Sequence, residues 1–168
     1  MNSNKPWGCL VTDTPLRAAL AESLDEVLEK MFFAGTLGEI DSAASGPAVT
    51  AHLKFEGDPP GSLTLRVTLD AARSVAADFL GEEEAGVSSD RIGEVVCELA
   101  NMICGSVLSR VEPNVTFRLS APRVVEPEEA EPPLAAATVY AAEIGSGTIT
   151  VIFNTETPAW STAAKSEC

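Results

Sequence analysis

Aromatic side chains make up only 5% of this 168-residue chain, histidine occurs once, and basic residues number 11 against 25 acidic ones. The shortage of lysine and arginine leaves a formal net charge of −14. A surface that acidic repels phosphate backbones and anionic lipid, and no clustered basic stripe offsets it, which excludes nucleic acid and membrane surfaces as partners. His52 is the single histidine, and Cys9, Cys97, Cys104 and Cys168 form no C-x-x-C pair, so the sequence offers no His/Cys metal cluster. Cys97 and Cys104 fall in one helical segment, roughly 10.5 Å apart along its axis, too far for a disulfide. Long apolar runs are lacking too. The opening MNSNKPWGCLVTDTP has no apolar stretch of signal-peptide length. The longest apolar run, Val95 to Leu108, contains Glu98 and Asn101 and falls short of a membrane span. The expectation is a soluble, cytoplasmic protein in a reducing compartment.

Hydrophobic residues nevertheless make up 45% of the chain, enough for a packed core without staples, and the length fits one domain. Residues 1–13 read as a flexible lead-in, 14–153 as the domain and 154–168 as a tail. Thr14-Pro15 offers an N-cap followed by proline at the first helical position, and Leu16, Leu20, Leu24, Val27, Leu28 and Met31 recur at helical spacing. The spacing predicts a helix over 14–33, ended by Gly35 and Gly38. Val49–Phe55 and Ser62–Leu69 alternate as strands around a Gly57–Gly61 turn, giving a hairpin. Asp70 caps a short helix over 71–80, and the acidic stretch Gly81–Val87 is a loop. A second long helix runs from Ser88-Ser89-Asp90 to about Val111, where Pro113 stops it. Val115–Leu119 and Val124–Val125 are short strands. Glu126–Pro133 is a charged, proline-rich, solvated loop. Ala136–Ile144 and Thr148–Phe153 form a second hairpin across Gly145-Ser146-Gly147. This order predicts an α+β fold with two long helices packed on a largely antiparallel sheet.

The second long helix carries an unusual stripe. At about 100° per residue, Ile92, Val95, Val96, Leu99, Met102, Ile103 and Val107 share one side. The other carries Asp90, Glu94, Glu98, Asn101 and Gly105, with Leu108 continuing it. Glu98 and Asn101, three residues apart, are surface neighbours. The ordinary reading of such a face is solvation. Against it, like charges at i,i+4 cost a few tenths of a kcal/mol per pair. A mid-helix glycine such as Gly105 costs about 1 kcal/mol relative to alanine. Acid, amide and bare backbone on one face suit close docking of another molecule. Other residues have quieter readings: His52 is a structural strand histidine, Cys97 and Cys104 are buried thiols, and Gly145-Ser146-Gly147 is a turn.

The string ELANMICG (Glu98–Gly105), preceded by Asp90-Arg91-Ile92-Gly93-Glu94-Val95-Val96, resembles the signature of the CheC/CheX/FliY family. These are phosphatases that act on phosphorylated CheY-type receivers. The family motif is Glu-x-x-Asn on a long helix with a proline downstream, matched here by Glu98, Asn101 and Pro122. The element order expected of the family covers 14–153. CheC-like members carry a second Glu/Asn pair on their first long helix. Here that helix offers Glu26-Val27-Leu28-Glu29, with glutamate where the asparagine should stand, so the resemblance is to a one-site, CheX-like protein.

The resemblance implies dephosphorylation of a phosphoaspartate on a CheY-type response regulator. Asn101 would orient the attacking water and Glu98 would dock on the receiver's lysine. Glu94 and Asp90 would extend that contact, and Gly105 would let the receiver's loops approach the helix backbone. The chain would carry no cofactor of its own, the Mg2+ being supplied by the receiver. CheX-like proteins pair through sheet edges, and the late strands here are expected to do so in a homodimer. Two rivals stand beside this reading: a non-catalytic signalling or flagellar-switch-type protein-binding module of the same fold, and a structural domain whose stripe only faces solvent.

Overall fold

The structure, a computed structural model, describes residues 15–32, 35–40, 46–126, 129 and 137–155. Pro15 opens helix α1 (Pro15–Phe32), where its fixed φ suits the first turn and its missing N–H is not needed. Leu16, Leu20, Leu24, Val27 and Leu28 form its buried face. Met31, expected on that face, is exposed instead, and Phe32 takes the last buried position, stacking on Phe79 with ring centroids 4.7 Å apart. The chain then forms β1 (Thr36–Ile40), β2 (Ala48–Glu56), β3 (Gly61–Thr68), helix α2 (Leu69–Leu80), a single 3-10 turn (Glu84–Gly86) and helix α3 (Ser89–Val111). Strands β4 (Arg118–Leu119), β5 (Arg123–Val125), β6 (Thr138–Ile144) and β7 (Gly147–Thr155) complete the described elements.

The strands lie in the order β1-β6-β7-β3-β2-β4, with β5 also paired to β2, and the pairings between them are antiparallel. Period-2 alternation divides the sheet into two faces. Ala51, Leu53 and Phe55 of β2, Leu63, Leu65 and Val67 of β3, and Ile149, Val151 and Phe153 of β7 join the helices in one core. The alternate positions are polar, among them Thr50, His52, Thr64 and Thr150. The three helices therefore pack on one face of the sheet, and the fold is α+β as expected. Arg17 ties α1 to the sheet: it donates to the Val139 carbonyl at 3.0 Å, lies over the Tyr140 ring and pairs with Glu39.

Several expectations change. Gly38 does not end a helix but lies in β1, a strand whose exposed Leu37 and Glu39 give no alternating signal. Leu69 begins α2 rather than ending β3. Thr68 holds the cap position, but its hydroxyl accepts from the Thr148 N–H at 3.0 Å, while Asp70 sits in the first turn without a cap bond. Among the described residues β7 lies between β6 and β3, and β1 covers the outer side of β6 over Ala141–Ile144, leaving only the Thr138–Tyr140 end of β6 without a partner strand on that side. Finally, α3 has the bounds the sequence predicts, and although its apolar run Val95–Leu108 is short of a span, the whole 23-residue helix is long and apolar enough to cross a membrane. Its apolar side is in the core instead: Ile92, Val96, Leu99 and Ile103 are buried against the sheet and α1. β7 continues to Thr155, past the expected boundary at 153, while the lead-in, Thr14, Cys9, Cys168 and most of Glu126–Pro133 lie outside the described residues.

Candidate functional site

Helix α3 begins where the sequence places it. Ser88 is its N-cap, the hydroxyl accepting the Arg91 backbone N–H at 3.3 Å and satisfying one of the orphan donors of the first turn. Burial of Val95, Val96, Leu99, Ala100, Ile103 and Val107 then fixes the rotation of the helix. With that face turned inward, Asp90, Glu94 and Glu98 are exposed on the opposite side, and Asn101 and Gly105 are half-exposed.

Leu108 departs from the expected stripe. It is buried, because the chain returning through Val115, Phe117 and Leu119 borders the same small depression at the end of the helix. The exposed stripe therefore ends at Gly105. A Cβ at Gly105 would meet no neighbouring side chain or strand within 4 Å, so no packing contact among the described residues requires the glycine. Gly93, which sequence reasoning passed over, is different: a Cβ there would come 3.0 Å from Val124 Cγ2, and its absence lets β5 lie close to α3. A mid-helix glycine is the signal that could have found it.

Between α3 and β5 lies a cleft of about 630 Å³. Asp90, Glu94 and Glu98 border it from the helix, and Pro122, Val124 and Glu126 from the other side. The structure thus brings Pro122 to the same cleft as Glu98. Asn101 lies one turn beyond Glu98, between this cleft and the depression that Gly105 borders.

Electrostatically the site is one-signed. Among the described residues, the side chains of Asp90, Glu94, Glu98 and Asn101 form no hydrogen bond or ion pair. Arg91, the nearest basic residue in sequence, is turned away, with its Nη1 2.6 Å from Glu82 Oε1. Cys97 is half-buried in the cleft wall, where burial and, secondarily, the Glu94 charge raise its thiol pKa. Cys104, on the core side, is pushed up to about 12 by burial alone. Both thiols are free and protonated at neutral pH, so neither is a ready nucleophile. Among the described residues, no group of His, Cys, Asp or Glu side chains converges in a way that could hold a metal ion. The polar groups on offer are acceptor carboxylates and one neutral carboxamide that can both donate and accept.

The first helix is built differently. Glu26, at the position of a second acidic site residue, pairs with Arg110 at 3.0 Å and Lys30 at 3.7 Å, and Glu22 pairs with Arg110 at 3.1 Å. These carboxylates clamp α1 to the end of α3. His52 is buried on β2 in the sheet's polar face, with its Nδ1 2.9 Å from Thr64 Oγ1 of the facing strand, a structural position.

The family model described as chemotaxis phosphatase CheX matches residues 49–156, more than half of the chain. No curated protein matches by sequence. Among solved structures, a chemotaxis protein CheX from Desulfovibrio desulfuricans is similar over 84% of this chain and 99% of its own, at 20% identity and a TM-score of 0.66. A CheX–CheY complex with BeF3 and Mg2+ from Borrelia burgdorferi is similar over 83% of this chain and 97% of its own, at 14% identity and a TM-score of 0.66. FliY from Thermotoga maritima is similar over 90% of this chain and 91% of its own, at 14% identity and a TM-score of 0.56. The structural likenesses establish a shared fold, and the family match establishes descent: the chain belongs to the CheX family.

Proposed function

We propose that this member of the CheX family hydrolyses the phosphoaspartate of a CheY-type response regulator, using one face of α3 as the working surface. The observation that carries the reading is the Glu98/Asn101 pair, one helical turn apart and unpaired among the described residues, with Glu98 exposed and Asn101 half-exposed beside the cleft that Pro122 also borders. Polar side chains with no partner among the described residues are available to an incoming molecule. The family supplies the identity of that molecule.

An acyl phosphate is already activated, so the catalyst needs to position a water rather than provide a nucleophile. The Asn101 carboxamide oxygen accepts a hydrogen bond from that water and directs its oxygen toward phosphorus. Attack forms the new phosphorus–oxygen bond as the bond to the aspartyl oxygen breaks, giving inorganic phosphate and a free carboxylate. Being neutral, the amide does not repel the phosphoryl group, as a carboxylate would. Glu98 meets the receiver's conserved-chemistry cation, a lysine, in a charge-assisted contact that sets the docking register. Asp90 and Glu94 extend the negative face, and Gly105 leaves room for the partner's loops. Mg2+ bound by the receiver neutralises phosphoryl charge, and this chain contributes no ligand to it.

The engagement of Glu26 by Arg110 supports one site per chain, since that carboxylate is not free to meet a partner. A receiver-directed enzyme works where receivers are phosphorylated, so the reading carries a cytoplasmic location. Pairing of two copies through sheet edges would use β1 or the β4–β5 side, the outer strands of the described sheet.

The test separates binding from turnover. Asn101→Ala is expected to lower the dephosphorylation rate by about 100-fold or more, while binding to a BeF3-activated receiver stays near wild type. Glu98→Ala is expected to weaken both. Wild-type turnover by Asn101→Ala would remove the assigned role of the amide.

A further inference from the structure

The cleft beside the Glu98/Asn101 pair has two unlike walls. Its helical wall presents Asp90, Glu94 and Glu98 at successive turns, and no described residue bordering the cleft is basic. Its other wall is Pro122 and Val124, with Glu126 at the rim. Val124 is 47% exposed although apolar, and it belongs to a strand on the outer side of the sheet. The catalytic reading uses Glu98 and Asn101 but leaves this apolar wall and Glu126 without a role.

We propose that the cleft between α3 and β5 is a second point of receiver recognition, occupied by a lysine or arginine side chain of the receiver outside its phosphorylation pocket. This rests on the receiver-phosphatase reading, because Glu98 borders the cleft and whatever meets Glu98 stands next to it. Charge complementarity selects the occupant. Carboxylates repeated at i,i+4 on α3, with Glu126 opposite, repel one another until a cation enters. The apolar wall selects a long cation over a compact one, since the methylene stem of lysine or arginine lies along Pro122 and Val124 while its head reaches the carboxylates. A neutral or acidic side chain would gain neither contact. The cleft therefore sets which receivers bind well, whereas Asn101 sets how fast a bound receiver loses its phosphoryl group.

Two exposed positions test this without touching the Glu98/Asn101 pair: Val124→Ser removes the apolar wall without adding charge, and Glu126→Lys reverses the rim charge. With a phosphorylated CheY-type receiver that the wild type dephosphorylates, each is expected to raise KM by about tenfold with kcat within about twofold, and unchanged thermal melts exclude misfolding. Wild-type KM should also rise with added salt. Unchanged KM in both variants overturns the proposal, and a change in Val124→Ser alone overturns the cationic occupant. If the wild type has no phosphatase activity, the same variants are compared for binding to the BeF3-activated receiver. Weakened binding in both then supports the cleft while the catalytic reading falls, and equal binding overturns the cleft as well.

Discussion

Gly105 and Leu108, one helical turn apart, show how position on a helix is decided by neighbours as well as by rotation. Periodicity alone puts Leu108 on the outer stripe. The return of the chain through Phe117 and Leu119 buries it, a long-range contact that no local spacing reports. Gly105 stays at the surface with open space around its missing side chain. Replacing it by alanine should raise stability by about 0.5–1 kcal/mol, because the helix backbone gains without any clash. The same methyl group would stand where a partner's loops approach. Gly105→Ala is thus expected to melt higher in thermal denaturation and dephosphorylate the receiver more slowly. A variant that is more stable and fully active would show that no partner packs over this position.

At the scale of elements, α3 joins core and site in one helix. Leu99 is fully buried and stands next to Glu98 in sequence, so the packing that holds the helix also fixes the direction of the working side chains. Leu99→Ala should lower the free energy of unfolding by about 2–5 kcal/mol, read as an earlier midpoint in urea. The ion pairs from Glu22 and Glu26 to Arg110 are partly exposed and add little by comparison. Both long helices and the two hairpins were legible in the sequence, because each has a clean apolar period bounded by Pro, Gly or Ser. β1 was not: Gly35 and Gly38 resemble helix terminators, and exposure of Leu37, Gly38 and Glu39 erases the alternation that marks a strand. β4 and β5, with two and three residues, are too short to carry a period; their place beside β2 is set by tertiary contact.

For the whole molecule, the topology brings distant segments to one place. Glu98 and Asn101 were legible from spacing and family resemblance, and Pro122 from resemblance alone. The cleft that joins Pro122 to Glu98 was not, because it needs β5 folded back on β2 and Gly93 facing Val124. Net negative charge and an acidic face unpaired among the described residues suit a partner that brings its own cations, as the proposed receiver with its lysine and Mg2+ would. In a homodimer through the late strands, only the Thr138–Tyr140 end of β6 would be at hand, since β1 pairs with β6 over Ala141–Ile144 and β7 lies between β6 and β3. The most direct measurement is the lifetime of phosphoaspartate on a CheY-type receiver mixed with a small fraction of its molar amount of this protein. The account predicts a lifetime shortened by about tenfold or more, with each protein molecule acting many times. A lifetime unchanged even at equimolar protein, across the receivers of the same cell, would contradict it.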